Sequence, residues 1–163
     1  MKKQILFLAT LLVGSISLFS QVSQGDIQLV QQYFGAEKTA MLNEYMAFTP
    51  EQDSVFWNIY KTYEIERQAL GSKRITLTDE YINTISNITP EQATKLVDQA
   101  CELEINFKNL QKRYFHEMAK KIGPVKAAQF YQFETYINNV TNLMIQENIP
   151  FVGELEQKHA DYH

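Results

Sequence analysis

Phe48-Thr49-Pro50-Glu51-Gln52 returns forty positions later, almost unchanged, as Ile88-Thr89-Pro90-Glu91-Gln92. Each string is a complete helix start. The Thr hydroxyl accepts from the first free N–H groups, and Pro at the next position loses no hydrogen bond there and presets φ. Gln three residues after Thr reaches back to the cap's own N–H and closes a capping box. Glu in the first turn is favoured by the helix dipole. Thr49, Pro50 and Gln52, with Thr89, Pro90 and Gln92, therefore mark the starts of two helical units.

Working outward from these starts, the apolar spacing is helical and no strand alternation appears. From Pro50 the stripe is Phe56, Tyr60, Tyr63, Arg67, Leu70, Arg74, Leu77, Tyr81 and Ile85, and its phase survives Gly71-Ser72. This predicts one helix from Pro50 to about Ser86, roughly 55 Å long. A rival start at Thr78-Asp79-Glu80 would divide it in two. From Pro90 the stripe is Ala93, Leu96, Ala100, Leu103, Phe107, Leu110, Tyr114, Met118 and Ile122, and Gly123-Pro124 ends it. A further helix runs from Pro124 to about Asn148 on Ala127, Phe130, Phe133, Ile137, Val140 and Met144. A shorter one spans Asp26 to Tyr45, carrying Ile27, Val30, Phe34, Met41 and Tyr45 around Gly35. Short connections between long helices make neighbours antiparallel. The fold class is all-α: an elongated bundle of three long antiparallel helices plus a shorter N-terminal one. So thin a molecule has difficulty covering its own apolar stripes, which favours a homodimer or an exposed apolar face.

The first residues carry an export signal. Lys2 and Lys3 precede an apolar run from Ile5 to Leu18, and Ser20 stands before a polar stretch. The run is short for a membrane span and no stop-transfer pattern follows. Residues 1–20 are thus a cleaved secretory signal, 21–150 a single helical domain and 151–163 a polar tail. The whole chain has 15 basic and 19 acidic residues. Loss of Lys2 and Lys3 leaves 13 against 19, a net charge of about −6 that argues against nucleic acid and anionic membranes as partners. Cys101 is the lone cysteine, so the fold rests on packing without an internal disulfide, and the thiol is expected to be buried on its helix.

Signatures of catalysis are missing from the sequence. It has no Gly-rich phosphate loop, nucleophile elbow or His-Glu-x-x-His. No enzyme activity and no cofactor are expected. His159, Asp161 and His163 in the tail form a weak divalent-metal set. Arg67 and Arg74 fall on the apolar stripe, either paired with Glu102, Glu104 or Glu134 or lying at the stripe's edge with wet heads. The aromatic residues cluster: Phe56, Trp57, Tyr60 and Tyr63; Tyr114-Phe115; and Phe130, Tyr131, Phe133 and Tyr136. They read as core and dimer interface, or as a partly exposed band that binds apolar segments of other proteins, with Phe56, Trp57, Tyr60, Tyr63, Phe130 and Tyr131 as its contact residues.

The paired Thr-Pro-Glu-Gln strings, the export signal and the helical chain together resemble the Spy/CpxP-like periplasmic proteins, the LTxxQ family. Phe48 and Ile88 stand where that motif has Leu and keep an apolar residue before the cap. The resemblance implies a cradle-shaped helical homodimer in the periplasm. It further implies an ATP-independent chaperone or envelope-stress accessory whose partners are unfolded or partly folded envelope proteins. A metal-binding or metal-sensing accessory, or a regulatory partner of a membrane sensor, is the alternative within the same resemblance.

Overall fold

The structure, a computed structural model, describes residue 35 and residues 37–149. The expected signal at 1–20, the stretch from Asp26 to Phe34 over which the shorter helix is expected to begin, with Ile27, Val30 and Phe34, and the tail with His159, Asp161 and His163 lie outside the described residues. The described chain is all-α. Helix α1 covers 37–46, α2 is Pro50–Thr84, α3 is Pro90–Ile122 and α4 is Pro124–Asn148. A single 3-10 turn, Ile85–Asn87, follows α2. No described helix is long and apolar enough to cross a membrane.

Both repeated strings form complete capping boxes. The Gln52 and Gln92 backbone N–H groups donate to the Thr49 and Thr89 hydroxyls, at 3.4 and 3.2 Å. The Thr49 and Thr89 N–H groups donate in return to the Gln side chains, at 3.2 and 2.9 Å. Helix α2 then runs unbroken for 35 residues through Gly71-Ser72 and Thr78-Asp79, so the rival start is not used. The preserved stripe phase outweighs a glycine penalty of about 1 kcal/mol. Gly123 ends α3 at φ 91°, a left-handed conformation that favours glycine, and Pro124 opens α4 directly.

Helix directions follow from the cross-links. Glu66, Arg74 and Glu80 on α2 meet Arg113, Glu104 and Lys95 on α3, a descending ladder that makes the pair antiparallel. Helices α3 and α4 are likewise antiparallel, with Phe115 beside Tyr131 and Glu104 beside Asn142. Helix α1 folds back along α2, placing Lys38 beside Glu64. The core gathers where all four helices meet. Leu42 and Met46 from α1 join Phe56, Tyr60 and Tyr63 from α2, Leu110, Tyr114, Met118 and Ile122 from α3, and Ala127, Phe130, Phe133 and Ile137 from α4. Beyond Arg67 the α2 stripe is only half-buried, and Ala100 on the α3 stripe is exposed. Cys101 is exposed as well, contrary to the burial expected of it. It lies one residue past Ala100, off the buried Leu96 and Leu103 positions, in a stretch of α3 where even the stripe residue Ala100 is exposed.

Candidate functional site

The aromatic residues separate by helical phase. Phe56, Tyr60, Tyr63 and Phe130 have relative exposures of 0, 4, 1 and 1% and build the centre of the core. Phe130 meets Phe56, Tyr60 and Tyr63 edge-on at centroid distances of 5.6, 6.2 and 5.1 Å. These four do not form an exposed contact band. Trp57 is half-buried, its ring N–H donating to Asp53 Oδ1 at 2.8 Å. Tyr131 is exposed. It follows Phe130 by one residue and therefore points about 100° away from the core.

Tyr131 forms one wall of a groove between α3 and α4, of about 440 Å³, lined otherwise by Lys108, Asn109, Lys112, Phe115 and His116. Lys108, Lys112 and His116 stand four residues apart along one row of α3. Phe115 packs on the edge of the core and meets Tyr131 edge-on at 6.3 Å and His116 at 5.2 Å. Lys108 Nζ donates to the buried Gln111 Oε1 at 3.3 Å. Neither Lys108 nor Lys112 makes an ion pair among the described residues. From 108 to 126 the sequence holds six Lys or Arg against the single acid Glu117. Net charge concealed this basic tract within an acidic chain. Arg113 is held apart on α2 by Glu66, which also accepts from the Tyr114 hydroxyl at 2.8 Å. Those two donors keep the Glu66 carboxyl below its ordinary value, while burial and Glu66 push the Tyr114 hydroxyl up to about 12. The groove thus combines aromatic walls with cations that have no acidic partner among the described residues, a surface suited to apolar segments that carry carboxylates.

A second polar site lies inside the core. Lys38 of α1 is 1% exposed, with Nζ 3.0 Å from Glu64 Oε2 on α2 and 2.7 Å from Glu134 Oε1 on α4. It also lies 5.5 and 5.6 Å from the Tyr60 and Tyr63 ring centroids. The Tyr63 hydroxyl donates to Glu134 Oε2 at 2.6 Å. Arg67 donates twice to Glu64, at 2.8 and 2.5 Å. Burial works to raise the Glu64 carboxyl, but Arg67 and Lys38 together outweigh it and hold the group below its ordinary value. Burial, Glu134 and Glu64 drive the Tyr63 hydroxyl well above its ordinary range, so it remains a donor.

This arrangement sorts the expected Arg partners. Arg74 does reach Glu104, at 2.9 Å, donates to Asn138 Oδ1 at 3.0 Å and lies 4.1 Å from the Phe107 ring centroid. Arg67 instead takes Glu64 on its own helix, Glu134 goes to Lys38 and Tyr63, and Glu102 is exposed. Lys38 was not anticipated, because nothing local distinguishes it from a surface lysine. Among the described residues, no group of three His, Cys, Asp or Glu side chains is placed to hold a metal ion.

No protein-family model, no curated protein and no solved structure matches this chain.

Proposed function

We propose that the chain is an exported, non-enzymatic binding protein of the periplasm that holds unfolded or partly folded envelope proteins without ATP. The observation that carries this reading is the open α3–α4 groove, with aromatic walls at Phe115 and Tyr131 and with Lys108 and Lys112, which make no ion pair among the described residues. Unfolded chains present apolar and charged side chains together, and the groove offers contacts to both. Release then depends on weak binding and on the client's own folding. The resemblance of the paired capping strings to the Spy/CpxP-like family supports the same reading. So do the exposed apolar side chains Val97 and Ile105 on α3 and Tyr136 and Leu143 on α4, which are available for homodimer formation.

The test is suppression of aggregation of a heat-labile enzyme by the mature chain, followed by light scattering. Protection at a few-fold molar excess is expected. The double variant Lys112→Glu/Tyr131→Ala, which alters exposed side chains only, should lose most of it. Equal protection by the variant would remove the groove from the account, and no protection by the mature chain would refute the function.

A further inference from the structure

Helix α3 carries a charge pattern that its own bundle leaves incomplete. Three of its charged side chains pair within the chain: Lys95 with Glu80, Glu104 with Arg74 and Arg113 with Glu66. The other acids of its first half, Glu91, Asp98 and Glu102, make no ion pair among the described residues. Nor do the other bases of its second half, Lys108, Lys112, Lys120 and Lys121. All of these side chains are exposed. The helix thus has a negative half and a positive half, and they meet at Ile105, an apolar residue 59% exposed.

The two halves match about Ile105. Asp98 stands seven residues before it and Lys112 seven after. Seven residues bring a helix back to within about 20° of the same line, so the three share one face. Glu102 and Lys108 stand three residues before and after Ile105, and Glu91 and Lys120 fourteen and fifteen. All four lie within about 60° of it around the helix. Glu117 and Lys121 fall about 120° and 160° away, off this face. The buried Leu103 lies on the opposite side. A row whose charges change sign when the helix is reversed is complementary to itself. Laid antiparallel on a second α3 with the two Ile105 side chains in contact, Asp98 of each copy faces Lys112 of the other, and Glu91 faces Lys120. A parallel pair would set acid on acid and base on base. The row from Glu91 to Lys120 is about 44 Å long, which gives room for the roughly 800 Å² per partner of a specific interface.

We propose that the exposed face of α3 docks a second copy of this chain, as an antiparallel α3 pair centred on Ile105. The pairing gives the homodimer raised above a definite face and register, and it does not rest on client binding. It shares Lys108 and Lys112 with the α3–α4 groove. The aromatic wall Phe115 lies about 80° from Ile105, outside the row. Cys101 enters the row without bridging the copies. The two thiols stand eight residues apart in this register, about 12 Å along the axis, beyond the Cα separation of about 7 Å that a disulfide can span.

Sedimentation equilibrium of the mature chain tests the pairing and contains no client, so its outcome is separate from that of the aggregation assay. A dimer is expected at about 100 μM in low salt, weakened about tenfold or more in high salt because its ion pairs are exposed. Asp98→Lys and Lys112→Glu both alter exposed side chains. Each alone sets like charges together twice across the two-fold axis and should weaken self-association about tenfold or more. Mixed in equal amounts, the two single variants regain opposite charges in every such pair, so the mixture should dimerise about as tightly as the unmodified chain. A reductant should leave the dimer unchanged. A monomeric unmodified chain, single variants that dimerise as well as it does, a mixture no tighter than either variant alone, or a dimer that a reductant dissolves would each overturn the proposal.

Discussion

Replacing Lys38 by Met keeps an unbranched apolar stem and removes the ammonium. Glu64 then retains both hydrogen bonds from Arg67, at 2.8 and 2.5 Å, and stays satisfied. Glu134 retains only the Tyr63 hydroxyl, at 2.6 Å, and no cation. Removing one partner of a buried pair costs about 3–5 kcal/mol. The lower end applies here because one of the two carboxylates keeps its partner. A loss of about 3 kcal/mol lowers the melting temperature of a domain this size by about 10 °C. The diagnostic step is to add Glu134→Gln. The amide is neutral, still accepts from Tyr63, and removes the uncompensated charge. The double variant should therefore be more stable than Lys38→Met alone, by about 1–2 kcal/mol. Urea unfolding at neutral pH, followed by far-UV circular dichroism, measures both variants against the unmodified chain. A double variant no more stable than Lys38→Met would refute the reasoning, since it would mean that Glu134 is not left stranded when Lys38 is lost.

Acid should weaken the same site. The folded Glu64 carboxyl lies below its ordinary value of 4.5, so its contribution is complete above that value and is lost as pH falls through the depressed one. The urea midpoint should fall between about pH 5 and pH 3, and a flat profile there would contradict the pairing. The two capping boxes are not equivalent, because Gln52 Nε2 also donates to the Ile122 carbonyl at 3.3 Å. Thr49→Ala and Thr89→Ala should each cost about 1 kcal/mol. Gln52→Ala should exceed Gln92→Ala by about 0.5–1 kcal/mol in denaturant titrations. Phe56→Ala, at a fully buried position ringed by Phe48, Trp57, Tyr60 and Phe130, should cost about 3–5 kcal/mol. Differential scanning calorimetry would register that as a large drop in melting temperature.

Much of the fold is legible because helix starts and stops are local chemistry. Thr49, Thr89 and Gly123 set boundaries through their own neighbours, and the stripes of α3 and α4 follow from a single period. The charge-bearing part of α2 is less legible. Arg67 and Arg74 lie on one row, yet only tertiary packing decides that Arg74 crosses to Glu104 while Arg67 turns to Glu64. Lys38 carries no local mark, since its two carboxylates come from helices 26 and 96 residues away in sequence. The aromatic clusters did hold a usable signal. Phe56, Tyr114 and Phe130 lie on the stripes, whereas Trp57, Phe115 and Tyr131, each one residue further on, do not. Following the phase through each adjacent pair separates core from surface and isolates Phe115 and Tyr131 as groove residues. The basic tract from Lys108 to Lys126 was equally visible along the sequence, but a net charge averages it away.

The proposed function requires that clients lie along the α3–α4 groove. A photo-crosslinking amino acid placed at Tyr131, on the groove wall, or at Ile65, 69% exposed on α2 and outside the groove, tests it directly. Irradiation in the presence of an unfolding client should give a client adduct from position 131 and none above background from position 65. Equal labelling from the two positions, or labelling from 65 alone, would contradict the claim.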